Sequence, residues 1–127
     1  MKIILLLMSF FITSFCYSQN WKFLSEEKNG IYYYRPNTDE TAWIKIVSDK
    51  MEYYPKKTSQ KLATVDGYKI LLYKFDCKSK KIGVIQATVY SKEGEVLDTY
   101  SENELLVEMN YVNPDSIGEY LLKTFCE

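Results

Sequence analysis

Along most of this chain hydrophobic and polar positions alternate with a period of two, and only near the C-terminus does the period lengthen. In "TAWIKIVS" (Thr41–Ser48), Ala42, Ile44 and Ile46 fall on one side and Trp43, Lys45 and Val47 on the other, as in a strand with two unlike faces. The alternation resumes after Gly67. "YKILLYKFDCK" places Leu71, Tyr73, Phe75 and Cys77 together, and "KIGVIQATVYS" does the same for Ile85, Ala87 and Val89, with a tight turn at Lys78–Lys81 between the two. "VLDTYS" follows the turn "KEGE" (Lys92–Glu95), and "LLVEMNYV" reads as the last strand. Upstream, "NWKFL" around Trp21 and "IYYYR" (Ile31–Arg35) flank Asn29-Gly30, a dipeptide that favours a hairpin turn. Pro36–Asp39 is a loop. Residues 50–66 show no clean period and carry Pro55 and several lysines, which predicts a long connection with room for a turn of helix.

The C-terminal segment "YVNPDSIGEYLLKTFCE" changes register to a helix. Asn113 is placed to cap it, Pro114 suits the first helical position, and Asp115 opposes the positive end of the helix dipole. Ile117, Leu121 and Phe125 form an i, i+4, i+8 stripe with Leu122 and Cys126 beside it, and such a stripe needs an apolar surface to lie on. The strand face bearing Cys77 offers one, which brings Cys126 to Cys77. A disulfide there closes about 50 residues, worth roughly 4 kcal/mol by chain entropy. The expectation is a single α+β domain: an antiparallel sheet of five to seven strands with a C-terminal helix pinned to one face.

Composition narrows the setting. Residues 1–18 combine Lys2, the apolar run "IILLLMSFFI" and a polar exit, the make-up of a signal peptide cleaved after Ser18. Lipidation at Cys16 is not expected, because Phe15 and Thr13 stand where that processing wants a small and an aliphatic residue. The domain is then residues 19–127, with two cysteines left in an exported chain, which argues for one disulfide. It carries 15 Lys and Arg against 17 Asp and Glu, a net charge of −2, which is not the balance of a nucleic-acid binder. The chain has no histidine. That removes histidine-based nucleophilic and general acid–base catalysis and most transition-metal sites. No cofactor or metal is expected.

The run "YKFDCKSKKIGVIQATVYSKEGEVL…YVNPDSIGEYLLKTFC" resembles the surface-adhesin protein E family of bacterial exported proteins. The marks are Cys77 in a basic turn, a strand ending in Tyr90, the Gly94 turn, Pro114 and Ser116 leading into the helix, and Cys126. Trp21, the aromatic strand and the Trp43-x-Lys45 strand extend the likeness over nearly all of residues 19–127. Arg35 stands where the family often has an acidic residue, and Tyr111 where it often has a tryptophan. The resemblance implies a six-stranded antiparallel sheet with the helix on its concave face, tied by this disulfide. It also implies binding rather than catalysis, at the cell surface or in the periplasm of a bacterium.

Candidate contact residues come in two groups. Residues 50–81 hold nine lysines against Glu52, Asp66 and Asp76, a balance of +6. Lys56, Lys57 and Lys61 with Lys78, Lys80 and Lys81 could therefore engage acidic proteins or glycosaminoglycans, or simply keep a sheet edge from pairing. Tyr32, Tyr34, Tyr53 and Tyr54 offer rigid amphipathic area for a protein, a glycan or a second copy of the chain, although strands favour aromatic residues in any case. Among carboxylates, Glu93 and Glu95 flank a turn, and Glu102, Glu104 and Glu108 lie in an exposed stretch; nothing in the pattern pairs them across a cleft. The reading is an exported, non-catalytic binding module, with a periplasmic inhibitor or assembly partner on the same fold as the alternative.

Overall fold

A computed structural model describes residues 20–55 and 61–127. The signal peptide expected at residues 1–18, and Lys56 and Lys57, lie outside the described residues. Strands β1 (Lys22–Glu27), β2 (Gly30–Pro36), β3 (Thr41–Tyr53), β4 (Ala63–Asp76), β5 (Lys81–Ser91) and β6 (Val96–Ser101) pair in sequence order. All pairings are antiparallel, so the sheet is a meander built from hairpins. A two-residue strand β7 (Asn110–Tyr111) adds to the start of β5, and helix α1 (Ile117–Cys126) ends the chain.

The register shows why one face of the sheet is core. Tyr34, Ile44, Leu71 and Ala87 stand in one row across β2–β5, all from the apolar side of the alternation. On this face Leu24, Tyr32, Tyr34, Ala42, Ile44 and Phe75 form one buried cluster with Leu121 and Leu122 of α1. Phe125 stacks on Phe75 with ring centroids 4.3 Å apart. The predicted stripe thus docks where expected, and Cys77 and Cys126 are joined by a disulfide at a sequence separation of 49.

Several local expectations are corrected. β3 runs on to Tyr53 and β4 begins at Ala63, so residues 50–53 and 63–66 of the expected connection are strand. A register shift between Ser48 and Met51 breaks the alternation there and hides the pairing. Lys28 and Asn29 are the turn residues of the first hairpin, and Gly30 already pairs with Glu27. Gly30 has φ +144°, and a Cβ there would lie 2.6 Å from the carbonyl oxygen of Val47, so the glycine is required one place later than the turn.

"LLVEMNYV" is not a full strand. Residues Glu104–Leu106 form a 3₁₀ turn, capped by Asn103, whose side chain accepts from the Leu105 N–H at 3.0 Å. Only Asn110 and Tyr111 then pair, with Lys81 and Ile82. The helix cap is Ser116 rather than Asn113. Ser116 Oγ accepts from the Glu119 N–H at 3.2 Å and donates to the Asn113 carbonyl at 2.6 Å. The Asn113-Pro114-Asp115 stretch is the turn before the helix, and Asp115 sits at φ +61°.

Candidate functional site

The helix covers one face of the sheet and leaves the other open. On that open face the register sets Phe23, Tyr33, Lys45, Ile70 and Thr88 in one row and Arg35, Trp43, Leu72 and Gln86 in the next. Tyr68 and Tyr90 pair in a third row and stack with centroids 4.8 Å apart. Lys45 Nζ lies 4.8 Å from the centre of the Tyr68 ring and 5.9 Å from that of Trp21, within cation–π range. Phe23 packs edge-on to Tyr33. These side chains are mostly half-buried against one another, and all of the rings except Trp21, which directly precedes β1, are carried by strands.

In the middle of this face Trp21, Arg35, Trp43, Ile70, Gln86, Thr88 and Tyr90 line an open hollow of about 270 Å³. Both tryptophans of the chain are in it. Among the described residues, those lining it include one cation and no carboxylate, and neither Arg35 nor Lys45 forms an ion pair. Only Thr88 is tied down by a side-chain hydrogen bond, to the Thr99 hydroxyl at 3.2 Å. The arrangement can stack flat apolar surfaces, donate a planar pair of hydrogen bonds from Arg35, and both donate and accept at Gln86.

The tyrosines expected to make contacts divide. Tyr32 and Tyr34 are 4% and 9% exposed and belong to the core under the helix, so they are not available on the surface; their neighbour Tyr33 takes the open face. The helix chose the side that carries two of the three rings. Tyr53 is half-buried and Tyr54 is 48% exposed. Tyr54 lines a hollow of about 570 Å³ with Asp98, Thr99, Tyr100 and Ser101.

The candidate lysines among the described residues do not form one patch. Lys61 precedes β4 and Lys78, Lys80 and Lys81 follow it, and a strand of 14 residues separates the two groups by roughly 45 Å if extended. The turn carrying the second group is held by Asp76, whose carboxylate accepts from the backbone N–H groups of Lys78 at 3.1 Å and Ser79 at 3.2 Å. The Ser79 N–H bond is the chief reason that the Asp76 carboxyl is held below its ordinary range. Lys81 Nζ sits 4.6 Å over the Tyr111 ring. Lys80 shares the small hollow at the disulfide with Glu119, Lys123 and Glu127, so one acid of α1 and the residue that follows the helix face the lysines at this corner.

Two further surface features were not foreseen. A hollow of about 500 Å³ follows the seam where the 107–113 connection crosses β5, with Tyr73, Ile82, Tyr100, Tyr111 and Ser116 on its walls. At the nearby 3₁₀ turn, Leu105 and Leu106 are 87% and 72% exposed. Among the described residues no group of three acidic or sulfur side chains is placed to hold a metal ion.

A sheet with its C-terminal helix cross-linked to the β4–β5 turn is the frame to which one family model applies. The model of surface-adhesin protein E matches residues 21–127, every strand and both linked cysteines included. The chain belongs to the surface-adhesin protein E family. Membership in adhesin E supports a surface-adhesin-like role and a surface or exported location. Neither the curated proteins nor the solved structures include a match to the chain. Among the described residues no helix is long and apolar enough to cross a membrane.

Sequence reasoning passed over Trp21, Arg35, Trp43, Gln86 and Tyr90 as a group. The alternation in "TAWIKIVS" did separate Trp43 and Lys45 from the core side. What it could not supply is the register that aligns them with residues 40 to 50 positions away.

Proposed function

We propose that this protein is an exported, non-catalytic binding protein of the bacterial cell surface, and that its partner docks on the open face of the sheet. The observation that carries this reading is the ring-and-cation surface of Trp21, Trp43, Tyr68 and Tyr90 with Arg35 and Lys45. Aromatic and arginine anchors dominate the energy of recognition surfaces, each worth about 2 kcal/mol or more at a hot spot. Rigid rings on strands lose little entropy when a partner arrives.

The test combines location and binding. Protease shaving of intact producing cells should release peptides from residues 21–127. Purified protein with Trp43→Ala and Tyr90→Ala should lose about 30-fold or more in affinity for extracellular-matrix or serum proteins that the parent binds, with an unchanged far-UV circular dichroism spectrum. A folded double variant that still binds at full strength would remove the open face from the proposal.

One observation favours the periplasmic alternative, an inhibitor or assembly partner. Leu105 and Leu106 protrude from a turn flanked by exposed Glu102, Glu104 and Glu108, the form of a finger that enters another protein's pocket. Under that reading Leu105→Ser with Leu106→Ser abolishes partner capture, and shaving of intact cells releases nothing.

A further inference from the structure

We infer that the hollow on the open face is a subsite for an acidic sugar, a pyranose ring bearing a carboxylate at the end of a glycan chain. The inference rests on the open face being the binding surface and names what that surface takes. Three rings, Trp21, Trp43 and Tyr90, line the hollow with Ile70. The C–H faces of a pyranose lie flat against indole and phenol rings, which removes apolar area from water without asking for hydrogen bonds.

The polar groups between the rings suit the rest of a sugar. Gln86 and Thr88 can donate to and accept from hydroxyls, and the guanidinium of Arg35 presents the planar fork that matches a carboxylate. Among the described residues Arg35 forms no ion pair, the hollow has no carboxylate in its lining, and Lys45 lies in the adjacent row of the sheet. The chain as a whole is slightly negative, with a formal net charge of −1, so an anion is drawn to this face by Arg35 and Lys45 and not by the overall charge.

Size separates the single acidic ring from other anions. A volume of about 270 Å³ falls just under the range typical of drug-sized ligands, and holds one or two sugar rings. A long sulfated chain would be expected to track a stripe of lysines instead, and of the candidate lysines among the described residues Lys61 stands before β4 and Lys78, Lys80 and Lys81 after it. A flat protein partner would use the rings but leave Gln86 and the Arg35 fork without a defined match.

Because both tryptophans of the chain line the hollow, tryptophan fluorescence reports on this subsite alone. The purified protein is titrated with sialyllactose, with an unsulfated glucuronic-acid-terminated disaccharide, and with lactose as the neutral probe. Saturable quenching by at least one acidic probe, at least tenfold tighter than by lactose, is expected; which of the two is tighter tells a sialic acid from a uronic acid. Arg35→Gln should bring the acidic probe to the level of lactose and Arg35→Lys should recover part of the difference.

Equal affinity for lactose and both acidic probes, or no saturable response to either acidic probe, overturns the acidic-sugar assignment. The same variants are then tested on enzymatically deglycosylated matrix protein. Undiminished parent binding that Trp43→Ala with Tyr90→Ala abolishes would leave the open face standing as a protein-binding surface. Binding that survives the double substitution would end both.

Discussion

Removing the Cys77–Cys126 bond should cost this fold about 4 kcal/mol. The bond spans a sequence separation of 49, and the entropy that such a cross-link takes from the unfolded chain amounts to roughly 4 kcal/mol at room temperature. A domain of this size is stable by about 5–15 kcal/mol in total, so the link is a large share. The helix it ties has ten residues, too few to persist in water by themselves. What else holds α1 is burial of Leu121 and Leu122 and the Phe125–Phe75 stack, with each leucine worth about 1.5–3 kcal/mol. The reduced protein should therefore remain folded but lie close to the margin.

Both cysteines are exposed, so a reductant reaches them without unfolding the chain. Urea denaturation is compared for the oxidised protein, the reduced protein and the Cys77→Ser, Cys126→Ser double variant. With a slope near 1.5 kcal/mol/M, the midpoint should fall by about 2–3 M, alike for reduction and for substitution. Hydrogen exchange should show the α1 amides losing protection before those of β3 and β4. A fall of less than about 0.5 M, with α1 still protected, would refute the claim that this link is a main support of the helix.

Four other outcomes follow from the same structure. Ser116→Ala removes the acceptor for the Glu119 N–H and should destabilise by about 1 kcal/mol, whereas Asn113→Ala should cost less, in a thermal melt. At Gly83 an added Cβ would meet Val107 Cγ1 at 2.5 Å and the Glu108 carbonyl at 2.7 Å. Gly83→Ala should thus cost about 1–3 kcal/mol and loosen residues 107–111 in hydrogen exchange; a neutral result would mean that the crossing segment does not rest on β5. Burial, with the Tyr32 hydroxyl adding, raises the Tyr73 pKa above its ordinary 10.0. The folded state then holds its proton where the unfolded chain releases it, so this contribution is complete below about pH 10 and is lost as pH rises through the raised value. Tyr73→Phe should flatten the alkaline limb of stability against pH. The depressed carboxyl of Asp76 works in the opposite sense: its contribution is present above pH 3.8 and lost as pH falls through the lowered value, which Asp76→Asn removes.

The strands whose alternation is uninterrupted were legible, as β5 and the first half of β3 show, because a sheet with one buried face imposes a period of two on both. The end of β3 was not. The register shift between Ser48 and Met51 puts an extra residue into the strand, and after it the apolar positions change parity. The last strand was overread for a related reason: "LLVEMNYV" has strand-like residues, but β5 offers "LLVEMNYV" pairing only at Lys81 and Ile82, and Leu105 and Leu106 face water. The helix start was misplaced because Asn113 and Ser116 are both good caps in sequence, and only the fold shows which one has a free N–H above it.

By itself the sequence determined a period-two sheet followed by an amphipathic helix, and with Cys77 on the apolar face of a strand and Cys126 beside the helix stripe it determined how the helix is tied. These are properties of short windows and residue identities, where propensity and pattern act directly. Which side of the "YYY" run would be core was decided only when the helix docked. The hollow of Trp21, Arg35, Trp43, Ile70, Gln86, Thr88 and Tyr90 was likewise decided by tertiary structure, because it draws on the segment before β1 and on β2, β3, β4 and β5. Alternation tells each strand which residues share a face, but the register between strands sets which of them meet. That register depends on turns and bulges throughout the chain, and no single stretch contains it.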